Sequence, residues 1–337
     1  MSKKVAVFDL DGTIGDFIAI NYFSYLYDEH TIKYSHKEQY ESYPDEVKQY
    51  LKDLEETFEK RLLNNGFTKI WLLRDNIDGI FDILKEKIKD KSLLGCMIYS
   101  NNGNFYNLEF AGRAIEGLME SDDIFIKAKK DNKLLNIYKE KKLFIDYNDK
   151  IRDTYDIPKT RARIKTVKTI QKAVKEYIDV NIEAEDILFL DDQIHEDILS
   201  HKDETTYIRV KQYEALLKKS ELFYLYGIFQ STLLEMFKKH KTMKDTLFTL
   251  DHMKGYFPET LENAYISNTY PYIKRKIHDQ ENMENYVEDN EIIIRKINNF
   301  FNPMITGGKG KGKRKTIKKY KKYKNSRKYK SKLLIKL

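Results

Sequence analysis

Two carboxylates stand one residue apart at the end of an apolar run, in Val-Phe-Asp-Leu-Asp-Gly-Thr at 7–13. Alternation along an extended chain aims Asp9 and Asp11 the same way, and Gly12 permits a tight turn behind them. Like charges held this close repel, and a divalent cation is the usual remedy. A second acidic turn, Asp191 and Asp192, closes another apolar run, with Asp197 five residues after Asp192. A third run ends in Ser100, Asn101, Asn102 and Gly103, which offer a hydroxyl and two amides. One Asp behind a strand is often only a cap or turn former. Three oxygen-rich strand ends with lysines nearby describe a site for an oxyanion and a hard cation. Carboxylate and water ligands favour Mg²⁺ over softer metals.

The elements that must position these residues are also legible. Apolar runs at 5–10, 94–99, 124–128, 187–190 and 207–210 predict five strands. None alternates cleanly, which suits strands covered on both faces of a parallel sheet. A helix over 166–178 is predicted from the spacing of Val167, Ile170, Val174, Tyr177 and Ile178. Strand–helix alternation implies right-handed crossovers and an open doubly wound α/β sheet, whose strand C-termini are where ligands bind.

With the motifs in place, the chain resembles the haloacid dehalogenase (HAD) superfamily of phosphatases and phosphotransferases over residues 3–210. The resemblance lies in Asp-x-Asp-Gly-Thr (9–13), a Ser behind a strand, then a Lys, then Asp-Asp (191–192). It implies a HAD-like Rossmannoid fold and an Mg²⁺-dependent phosphatase. Asp9 would be the nucleophile and would form an aspartyl-phosphate. Asp11 would be the general acid and then the base. Ser100 would hydrogen-bond the phosphoryl oxygens, with Thr13 and Asn101 also binding substrate. Asp9, Asp11 (through its backbone carbonyl), Asp191 and Asp192 would hold the metal. The resemblance places the Lys about two dozen residues before the acids. Lys168 is assigned on that spacing, Lys165 is the runner-up, and Lys159 also lies upstream. His195, within the acidic turn, could line the site, but a lone His there is more often a surface residue, and it is assigned no role.

More than eighty residues separate the first two strands, so a helical insertion is expected at about 18–75. In the resembled family such an insertion is a small cap that closes over the site. Phe67, Trp71 and the aromatic run 22–27 would be mostly cap core. Residues 211–306 read as a helical C-terminal extension, with a strongly apolar stretch at 222–237. From 307 the chain is low-complexity and reads as a disordered tail, with thirteen Lys, two Arg and no acid.

The net charge of +8 therefore divides into a tail of +15 and a body of −7. Tyr320, Tyr323 and Tyr329 alternate with the lysines, a pattern that suits nucleic acid or another polyanion through counterion release and stacking. The tail resembles those of proteins of large nucleocytoplasmic DNA viruses. One cysteine, Cys96, excludes an internal disulfide and a multi-cysteine zinc site. No run is long and apolar enough to span a membrane, and no secretory leader is evident, so an intracellular protein, cytoplasmic or nuclear, in a host cell or virion, is expected. The leading reading is a phosphatase acting on a phosphorylated substrate, nucleotides and nucleic-acid ends included. The alternative is a catalytically idle HAD-like scaffold that binds nucleic acid or a virion partner through its C-terminal region.

Overall fold

The computed structural model describes residues 3–17, 19–20, 23, 40–101, 105–127, 144–145, 165–201, 204–213, 215, 217, 219–240 and 285–302. Five parallel strands form one sheet: β1 (Val5–Phe8), β2 (Gly95–Tyr99), β3 (Phe144–Ile145), β4 (Ile187–Asp191) and β5 (Thr206–Arg209), in the order β3-β2-β1-β4-β5. The chain runs outward from β1 in one direction to β3, then returns to β4 on the other side. The switch point of the sheet therefore lies between β1 and β4, where open α/β sheets place their ligands.

One predicted strand is corrected. Residues 124–128 do not form a strand in the described part. They touch β2 at a single bridge, Cys96 to Phe125, and the third strand comes from Phe144–Ile145 instead. Both segments lie on the outer edge of β2. Ile124, Phe125 and Ile126 are buried there and serve as core.

Among the described residues, the α-helices that accompany the sheet include α1 (Asp45–Asn64), α2 (Ile77–Lys89), α3 (Phe105–Met119), α4 (Val167–Ile178), α5 (Glu196–Ser200), α6 (Lys219–Lys239) and α7 (Asn285–Phe301). Thr166 caps α4, its hydroxyl accepting the Thr169 N–H at 3.1 Å. The buried stripe of α4, Val167, Ile170, Ala173 and Val174, packs on one sheet face made by Val5, Val7, Met97, Tyr99, Ile187 and Phe189. The alternate residues point to the other face, where Phe81 of α2 stacks on Phe8 with ring centroids 5.0 Å apart.

The described part of the 18–75 segment is also packed. Phe58 of α1 and Phe23 meet Phe229 of α6 at 5.1 and 4.5 Å between centroids. Arg113 of α3 grips Glu59 of α1 with two hydrogen bonds of 2.8 and 2.6 Å. Phe67 and Trp71 cluster with Tyr224 of α6. Of the aromatic run 22–27, only Phe23 lies within the described residues. The chain divides into two compact units, 1–300 and 301–337, so α6 belongs to the same unit as the sheet. Residues 303–337, including the basic tail, lie outside the described residues, as do 241–284. No described helix is long and apolar enough to cross a membrane.

Candidate active site and metal centre

The parallel register puts Phe8 level with Leu190 on one side and Ile98 on the other. One residue further, Asp9 and Asp191 stand side by side, and the Asp9 N–H extends the ladder to the Leu190 carbonyl at 2.9 Å. Asp9 follows Val5 and Val7, and Asp191 follows Ile187 and Phe189, in the alternation of their strands. Both carboxylates therefore continue the face that α4 covers, just beyond its N-terminus. Ser100 directly follows β2 and is buried, and Asn101 is half-buried beside it.

Carboxylate oxygens of Asp9, Asp191 and Asp192 all lie within 4.8 Å of one another, and all three residues are buried. Three buried acids on hard oxygen donors fit a metal ion. The half-buried Asp11 sits at the turn above them, where its backbone bridges Gly15. Thr13, expected to bind substrate, is buried, and its hydroxyl donates to Asp192 Oδ1 at 3.4 Å.

Of the candidate lysines, the structure brings Lys165, the runner-up, to the acids, and not Lys168, which was assigned on spacing. Lys165 Nζ donates to Asp9 Oδ1 and, at 2.7 Å, to Asp191 Oδ2, with its side chain 2% exposed. Its ammonium also lies over the rings of Tyr99 and Phe189, at 5.8 and 6.0 Å. Lys168 is exposed, and no pair among the described residues joins it to the acids. The cause is the cap. Lys165 immediately precedes Thr166, before the helix begins, and so reaches along the sheet face. Lys168 falls on the outer side of the first turn, between Val167 and the buried Thr169 and Ile170.

The charges shape one another. Burial first of all, then the neighbouring Asp191 and Asp11, push the Asp9 carboxyl up to about 8 against the pull of Lys165. Burial would lower Lys165, but Asp9 and Asp191 outweigh it and hold the ammonium above its ordinary value. Burial would raise Asp191, but Lys165 and His195 hold it below the usual carboxylate range. Asp192 is raised by burial and by Asp191, with Lys165 and Arg74 opposing. Buried acids outnumber Lys165 here, so a cation would relieve the repulsion.

Two residues beside the acids were assigned no role from the sequence. His195, read as a surface residue, is buried. Its Nδ1 accepts the Lys165 backbone N–H at 3.3 Å, and its Nε2 lies 3.0 Å from Asp191 Oδ2. Arg74 is also buried and donates to the carbonyls of Gly12, Thr13 and Lys211. It thereby braces the Asp9–Thr13 turn from behind. Gly12 has φ +81°, and a Cβ there would meet Asp192 Oδ2 at 2.8 Å. Glycine is thus needed both for the turn and for the carboxylate's room.

No family model, curated protein or solved structure matches this chain. The α/β fold and the acidic centre therefore stand on the geometry above.

Proposed function

We propose that the chain is an Mg²⁺-dependent phosphoric monoester hydrolase that works through a phosphorylated Asp9. The observation that carries this reading is the placement of Lys165 between Asp9 and Asp191, with Asp192 at metal-ligand spacing, at the switch point of a parallel sheet. A phosphate monoester is a dianion and repels a carboxylate nucleophile. Positive charge fixed beside Asp9 is what lets the two approach. The all-oxygen donor set of Asp9, Asp191 and Asp192 suits Mg²⁺. When bound there, Mg²⁺ supplies charge neutralisation of the phosphoryl oxygens.

The protein's own residues account for the rest. Asp9 attacks phosphorus, the phosphorus–oxygen bond to the leaving group breaks, and Asp11 gives that oxygen its proton. Asp11, now a carboxylate, takes a proton from water. The resulting hydroxide attacks the Asp9 phosphoryl group, which frees inorganic phosphate and regenerates both acids. Lys165 holds the Asp9 carboxylate and faces the incoming anion. The Ser100 hydroxyl and Asn101 amide, at the adjoining strand end, offer donors to its oxygens. The +15 tail suits polyanionic substrates, so nucleic-acid ends belong in the substrate class to be tried.

The test is a screen of nucleotides, sugar phosphates, phosphopeptides and nucleic-acid ends with Mg²⁺, followed by acid quench and mass spectrometry of the Asp9 peptide. Phosphate release together with one added phosphoryl group on Asp9 is expected. Turnover with the label on any other residue would refute the mechanism.

A further inference from the structure

The acidic turn that follows β4 reaches back to the start of α4. The Lys165 N–H donates to His195 Nδ1 at 3.3 Å, and the Val167 N–H donates to Asp197 Oδ2 at 2.9 Å. His195 also stands 3.0 Å from Asp191 Oδ2, the oxygen that takes the Lys165 ammonium at 2.7 Å. Because Nδ1 accepts, the ring proton sits on Nε2 and is donated to Asp191. One imidazole therefore holds the backbone of the lysine and the carboxylate that the same lysine's side chain grips. The ring is 2% exposed and lies edge-on to Phe189, with centroids 6.1 Å apart, so it has little freedom to leave this position.

We propose that His195 is a positioning residue that locks Lys165 and Asp191 into one unit, fixing the ammonium relative to the metal-binding carboxylates. The proposal rests on the metal-centre reading above, but not on turnover. Outer partners of metal ligands typically change metal affinity or activity by about 10- to 100-fold when removed. The two hydrogen bonds of His195 can be removed one at a time. A Gln amide can replace the donor at the Nε2 position, and an Asn oxygen can replace the acceptor at the Nδ1 position.

The experiment uses the full chain with Mn²⁺ as the probe, bound in a calorimeter. The same variants are assayed for kcat and KM on an aryl phosphate at saturating Mg²⁺. His195→Gln is expected to keep Mn²⁺ affinity within about 3-fold of wild type, because Asp191 stays oriented, and to lose kcat about 10-fold. His195→Asn is expected to weaken Mn²⁺ binding about 10-fold, and His195→Ala to lose both. Equal losses in the Gln and Asn variants would reduce His195 to packing and overturn the proposal. So would a His195→Ala protein with both readouts within about 3-fold of wild type. If His195→Ala does not fold, the Gln and Asn pair decides. Failure of wild type to bind Mn²⁺ would overturn the proposal together with the metal centre. Mn²⁺ binding without phosphate release would sink only the phosphatase reading and leave the calorimetric comparison to judge His195.

Discussion

Arg74 Nη2 donates to the carbonyl of Gly12 at 2.7 Å, from a guanidinium that is itself buried. Its Nε reaches the Thr13 carbonyl at 2.8 Å, and its own N–H donates to Ile14 at 2.9 Å. The turn that carries Asp11 is thus held by a residue sixty-one positions from Thr13. The fork matters as well as the charge, because one planar group serves carbonyls from two loops.

Arg74→Leu would take the guanidinium from the Gly12, Thr13 and Lys211 carbonyls, of which Gly12 keeps the Tyr213 N–H. A loss of about 3 kcal/mol is expected, read as a lowered urea midpoint. Arg74→Lys should recover less than half of it, since a single ammonium cannot reproduce the fork. A midpoint for Arg74→Leu equal to that of wild type would show that the turn does not depend on this brace.

Gly12→Ala addresses the same turn from the other side. The positive φ alone costs about 1–2 kcal/mol for a residue with a Cβ. The new methyl would also press on Asp192. The variant should bind divalent metal at least about 10-fold more weakly than wild type, measured by calorimetry. Unchanged affinity would mean that Asp192 is not a ligand.

Lys165 and Lys168 can be separated directly. Lys165→Met should lower phosphatase kcat by about 10²-fold or more, as removal of a fixed charge at a reacting centre does. Lys168→Met should stay within about 2-fold, because an exposed side chain away from the acids contributes little. The reverse pattern in steady-state assays would restore the assignment made from spacing.

That pair also shows where the sequence stopped being informative. Asp9, Asp11, Ser100, Asp191 and Asp192 were legible because an apolar strand that ends in polar oxygens is a local pattern. Which lysine faces the site depends on the residue at which α4 starts. Lys165 and Lys168 are three residues apart, on either side of the cap, so spacing alone could not choose. His195 looked exposed because its burial comes from Phe189 and the Lys165 backbone, which are not its neighbours in the chain. Arg74 gave no signal at all, since its partners lie 61, 62 and 137 residues away. The two-residue β3 was too short to carry a pattern, and the apolar run at 124–128 carried one while its described residues meet β2 at the Cys96–Phe125 bridge rather than as a strand.

Burial holds Asp9 at about 8, well above the 3.8 of an exposed Asp. The unfolded chain releases this proton from about pH 4 upward, while the folded protein keeps it until about pH 8. The contribution is therefore fully present below pH 4 and is lost as pH rises toward 8. The Asp191 and Lys165 shifts act outside this window, below about 4 and above about 10, while the raised Asp192 and Glu59 carboxyls act within it and with the same sign. Metal-free melting temperatures should fall between pH 5 and pH 8. Mg²⁺, which favours the ionised carboxylate, should raise the melting temperature more at pH 8 than at pH 6. Asp9→Asn should weaken the metal-free trend to what the raised Asp192 and Glu59 carboxyls contribute. Thermal melts in chelator and in Mg²⁺ check all three, and a metal-free stability that rises with pH would contradict the burial argument.

If Asp9 is the nucleophile of an Mg²⁺-dependent phosphatase, removing its charge must stop turnover without unfolding the protein. The most direct test is phosphate release from an aryl phosphate by wild type and by Asp9→Asn, with circular dichroism confirming that both are folded. Mg²⁺-dependent turnover is expected for wild type and none above background for the folded variant. Hydrolysis by Asp9→Asn at the wild-type rate would contradict that role of Asp9.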